Sequence, residues 1–157
     1  MDARHEIIAG MEQGFDDLAT WFVERDDRQF GSGPLGRWTE GQQLDHLLRS
    51  TKPLNLALRL PRVALRLKFG RASRSSAGYD ELVARYERLL SEGGKASGQF
   101  VPPAVSSGEK ADLLERFRLE GTRLVAIAEK WDESDLDSYQ LPHPLLGNLT
   151  IREMLQF

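Results

Sequence analysis

The sequence contains no cysteine among its 157 residues. That excludes a disulfide framework, a thiolate zinc site and a cysteine nucleophile. It also contains no run of about 18 apolar residues, so no segment reads as a membrane-spanning helix. Histidine is scarce: His5, His46 and His143 are the whole supply of imidazole. No glycine-rich phosphate loop, paired-carboxylate signature or Ser/His/Asp arrangement stands out, and Asp132, Asp135 and Asp137 lack the spacing and glycine of a calcium loop. The most local absence is of acid. Residues 51–79 hold seven basic side chains and no acidic one, whereas residues 1–50 hold five basic and ten acidic, and residues 80–157 nine basic and fourteen acidic. A cationic island therefore sits inside a chain of net charge −3.

What is present describes a single domain spanning residues 1–157. The 40% hydrophobic and 29% charged content is that of a globular protein, and a chain of this length buries roughly 70% of its unfolded surface. Asp2, Glu6, Glu12, Asp16 and Asp17 make the first twenty residues unlike a secretory leader, so a cytoplasmic protein is expected.

Apolar spacing predicts helices. Ile8, Met11, Phe15, Leu18 and Phe22 form one stripe over residues 3–25. Thr39-x-x-Gln42 is a capping box that opens a second helix, about 40–52. Residues 54–69 alternate like strands, yet their Leu, Ala, Arg and Lys are good helix formers; a helix interrupted near Pro61 is the preferred reading. Asp80 caps a helix to about Leu90. Ser106-x-x-Glu109 opens the clearest one, 108–131, with Leu114, Phe117, Gly121, Leu124, Ala128 and Trp131 in one stripe. Gly121 lies where a neighbouring helix can approach closely. Residues 132–147 read as a loop. Thr150-x-x-Glu153 starts a last helix. The expected class is all-α, a four-helix bundle.

Three passages resemble DinB-like proteins. The first is Trp38-Thr-Glu-Gly-Gln-Gln-Leu-Asp-His-Leu47. The second is the order of features from Ser50 to Pro103: a proline-leucine pair, a basic leucine-rich stretch, Phe-Gly, a tyrosine before a helix, and Phe-x-Pro. The third is His143-Pro-Leu-Leu-Gly147 followed by Leu149-Thr150. The resemblance implies a four-helix bundle with a divalent metal, zinc or nickel, held by three histidines, one on the second helix and two on the last. It implies metal-dependent hydrolysis, or transfer involving a low-molecular-weight thiol, on an unidentified small-molecule substrate. Only His46 carries over as a metal ligand. The last helix is expected to be incomplete at Phe157, before its histidine pair, leaving the chain inactive by itself and less stable than its length suggests. No catalytic or cofactor-binding residue is otherwise assigned.

The residues alone give His46 a blander meaning. It lies nearly opposite Leu44, Leu47 and Leu48 on a helical wheel and shares a stripe with Gln42, Gln43 and Ser50, so it faces either solvent or a cavity. His143, stiffened by Pro142 and Pro144, is expected to cap a backbone group, and Trp38 and Trp131 to anchor the core. The alternative function is a non-catalytic module that uses the basic segment 52–74 to hold a small molecule or an anionic partner. Nucleic acid is not the expected partner, and a homodimer is allowed.

Overall fold

A computed structural model describes residues 3–157. Among them eight α-helices and one two-stranded hairpin account for the regular structure, with two single turns of 3-10 helix. The fold is predominantly helical, as the periodicity requires.

Three long helices form the body: α1 (Ala3–Val23), α3 (Glu40–Leu58) and α6 (Lys110–Ala128). The central one is α6, which packs against both α1 and α3. Its whole expected stripe is buried, from Leu114 through Ala128, with Trp131 just beyond the helix and 1% exposed. Gly121 lets α1 close in: a Cβ there would meet the Phe15 ring at 2.7 Å. On α1 the buried face is Ile7, Met11, Ala19 and Phe22, turned from the expected stripe far enough that Leu18 is exposed.

The short helix α2 (Asp27–Phe30) drops Phe30 into the core. The capping box at Thr39 then starts α3 as expected, with Gln42 N 3.2 Å from Thr39 Oγ1. The helix does not stop before Pro53, however; it runs on to Leu58. A proline inside a helix costs about 3 kcal/mol. Burial of Leu54 and Leu58 beyond it offsets that loss, at about 2 kcal/mol per buried leucine. The break falls at Pro61, and α4 (Arg62–Phe69) follows. The helix α5 (Tyr79–Ser91) has Gly78 rather than Asp80 at its N-cap.

The expected loop 132–147 is instead structured. It contains α7 (Glu133–Ser138) and strand β1 (Gln140–His143), which pairs antiparallel with β2 (Gly147–Thr150). At four residues each, and with Pro142 on one of them, these strands carry too little alternation to announce themselves. β2 leads directly into α8 (Ile151–Gln156) through the third capping box, Thr150 to Glu153.

The carboxy-terminal unit is fastened by charge. Glu153 is fully buried. Its carboxylate accepts from Arg74 Nη1 and Nη2, at 2.5 and 2.8 Å, and from the amides of Ala77 at 2.6 Å and Thr150 at 2.8 Å. Burial pushes this carboxyl up, but those hydrogen bonds and the Arg74 charge outweigh it and hold the group below its ordinary value. Nearby, Arg152 grips Asp137 at 2.7 and 2.9 Å, which lowers the Asp137 carboxyl and raises the guanidinium. The loop 71–78, α7 and α8 thus form one polar clamp.

Candidate functional site

Helix α3 has two different sides. Leu44, Leu48, Asn55 and Leu58, four, seven and three residues apart, are buried. On this face Asn55 Nδ2 donates to both the backbone carbonyl and the side chain of Glu120, at 2.9 and 2.7 Å. A second row, His46, Ser50, Pro53, Ala57 and Leu60, follows helical spacing on another face and lines a cleft of about 670 Å³. The wheel position of His46, opposite the leucines, is therefore the position of a cleft residue.

The rest of the cleft wall comes from elements distant in sequence. Lys68 and Phe69 come from α4, Tyr86 and Leu90 from α5. The segment after α5 contributes Lys95, Gln99 and Phe100, the hairpin Leu141 and His143, and α8 Met154. Most of the surface is aliphatic or aromatic. Among the described residues Lys68 and Lys95 are its only fully charged groups, and no carboxylate lines it. Neither lysine makes an ion pair among the described residues.

His46 is half-buried, and its ring lies 4.9 Å from that of Trp38. Trp38 is thus a neighbour of the cleft histidine and only partly buried, unlike Trp131, which is the core anchor expected of both. His46 Nδ1 sits 2.8 Å from the carbonyl oxygen of Phe100. A carbonyl only accepts, so Nδ1 carries a proton, and in the neutral ring Nε2 keeps its lone pair. One turn on, Arg49 bonds Asp45 and donates to the carbonyl of Gln99 at 3.2 Å. Two successive carbonyls of the 3-10 turn Gly98–Phe100 are thereby strapped to α3. Gly98 permits the turn with its φ of +57°.

His143 has the opposite tautomer. Its Nδ1 accepts from the amides of Leu145 and Leu146, at 3.1 and 3.0 Å, which is the backbone-capping role its position suggests. In the neutral ring the proton is on Nε2. Burial pushes its pKa down from 6.5. The cleft wall thus holds one imidazole with an acceptor nitrogen and one with a donor. His5 is exposed on α1, away from this wall.

These residues do not make the metal site the resemblance implies. Among the described residues no group of three or more His, Asp or Glu side chains could hold an ion. His46 offers a single oriented imidazole, whereas a zinc-like ion in a catalytic site needs three protein ligands.

Lys95, Tyr86 and the 98–100 turn are site residues that sequence reading did not single out. The glycines at 93, 94 and 98 mark a turning segment, but nothing local says which helix it folds onto. No family model, curated protein sequence or solved structure matches the chain.

Proposed function

We propose that this chain is a DinB-like helical bundle that binds a small molecule with an apolar body and an anionic group in the cleft beside α3. α1, α3 and α6 are three of the bundle's helices, and α8 takes the place of the fourth. The observation that carries the binding reading is the composition of the cleft wall: among the described residues it is largely apolar, with two lysines that make no ion pair and no carboxylate. Its volume of about 670 Å³ lies within the range of small-molecule sites, about 300–1,000 Å³. An apolar chain would lie along Leu54, Leu90 and Met154, while Lys68 or Lys95 pairs with the anion and His143 Nε2–H donates to it. Isothermal titration with dodecanoate, dodecanol and dodecyltrimethylammonium tests this. The carboxylate should bind at least tenfold more tightly than the alcohol, and the cation weakest. Equal binding of all three, or of none, overturns it.

One observation favours a second reading, in which His46 is the first ligand of a three-histidine metal site. Its Nδ1–H is held by a backbone carbonyl, the arrangement that orients ligating histidines and leaves Nε2 basic. Zinc titration in the presence of a synthetic amphipathic helix bearing two histidines one turn apart tests it. Affinity should rise with the peptide and fall in His46→Ala; a zinc affinity indifferent to His46 overturns it.

A further inference from the structure

From the end of α3 to the end of α4 the chain presents an unusual outer surface. Leu56, Leu60, Val63 and Leu67 are 59%, 38%, 68% and 83% exposed. Single exposed leucines are ordinary; four within twelve residues form a patch. On α4 the division is clean. Leu65 points inward and is 1% exposed, whereas Val63 and Leu67, one turn apart, point outward.

The charges around the patch have one sign. The segment 51–79 contains no acid. Arg62 is occupied: it stacks on Trp131 at 3.3 Å and bonds Asp135 at 3.1 Å. Arg74 is taken by Glu153. Arg59, Arg66 and Lys68 are exposed and make no ion pair among the described residues. Protruding aliphatic side chains interleaved with cations that have no carboxylate partner among the described residues, on a short amphipathic helix, are what an anionic lipid surface accommodates. The leucines enter the acyl boundary while the cations stay with the headgroups. A nucleic-acid duplex would satisfy the arginines but gives Val63 and Leu67 nothing to enter. An acidic protein face would need an apolar socket as well.

We infer that the outer edge of α3 and α4 docks on an anionic lipid bilayer, inserting Val63 and Leu67 with Arg59, Arg66 and Lys68 at the headgroups. The inference goes beyond the cleft reading and does not depend on it. The two adjoin, because Leu56, Leu60 and Lys68 also form part of the cleft wall, so a docked molecule would hold its cleft beside the bilayer.

Co-sedimentation with vesicles of equal phosphatidylglycerol and phosphatidylcholine, against phosphatidylcholine alone, tests the inference at about 0.1 M salt. Binding should require the anionic lipid. Val63→Ser/Leu67→Ser should weaken it at least tenfold, and Arg59→Gln/Arg66→Gln roughly twenty-five-fold, near fivefold per cation. All four side chains are outside the core, so circular dichroism and dodecanoate binding should be retained, which separates failure of docking from failure of the cleft. The inference is overturned by absence of vesicle binding, by equal binding to neutral vesicles, or by an apolar pair of variants that binds like wild type. It is equally overturned if a DNA duplex competes the arginines away from vesicles at matched charge.

Discussion

His46 Nδ1 lies 2.8 Å from the carbonyl oxygen of Phe100, across 54 positions of sequence. That bond ties the segment after α5 onto α3 and closes one wall of the cleft. Replacing His46 with alanine removes one hydrogen bond worth about 0.5–1.5 kcal/mol. Amide exchange at residues 98–101 should accelerate, while the global melting temperature falls by only a few degrees. Unchanged exchange there would mean that the strap is held by other contacts.

Glu153 and Arg74 fasten the carboxy-terminal unit to the loop before α5. Glu153→Gln leaves Arg74 without its counter-charge. Breaking a fully buried pair costs about 3–5 kcal/mol; because Arg74 is partly exposed, about 2 kcal/mol is expected in chemical denaturation. The pH dependence follows from the lowered carboxyls of Glu153 and Asp137. Their folded values lie below their unfolded ones, so their contribution is complete above the ordinary carboxylate range. It is lost as pH falls through that range to the lower folded values. Wild type should lose stability on acidification below about pH 4.5 more steeply than Glu153→Gln.

His143 is lowered in pKa as well. Its neutral Nδ1 accepts two amides, and burial lowers its pKa from 6.5. The unfolded chain therefore binds the proton first. The contribution is full above pH 6.5 and declines as pH falls from there through the lower folded value. His143→Asn keeps an oxygen acceptor without a titrating ring, so thermal melts between about pH 7.5 and 5.5 should slope more steeply for wild type than for the variant.

Gly121→Ala should destabilise by about 1–3 kcal/mol through overpacking against Phe15. Gly10→Ala, where an added Cβ meets nothing within 4 Å, should be neutral or slightly stabilising by helix propensity. Urea denaturation of the two variants compares them directly.

The helices were legible where one face is apolar and a cap marks the start. All three capping boxes, at Thr39, Ser106 and Thr150, are formed, and the α6 stripe is buried throughout. Legibility failed where tertiary packing overrode a local rule. Pro53 signals a stop, yet the buried face beyond it carries α3 to Leu58. Residues 140–150 pair as a hairpin whose four-residue strands are too short for periodicity to register. His46 was named through the resemblance, its wheel position leaving solvent and cavity both open, and its partner Phe100 was not named as one, because a backbone carbonyl leaves no trace in the residue types around it. Lys68 belongs to a visibly basic segment. Lys95 becomes a cleft residue only once the loop after α5 has folded back.

The central claim, that the two lysines make the cleft select anions, is tested most directly by reversing them. The measurement is the ratio of affinities for dodecanoate and dodecyltrimethylammonium, in wild type and in Lys68→Glu/Lys95→Glu. Both lysines are exposed at the cleft wall, so the substitution leaves the core untouched. The account predicts a ratio of at least tenfold in favour of the carboxylate in wild type, and inversion in the variant. A ratio near one in wild type, or one that does not change when both charges are reversed, would contradict it.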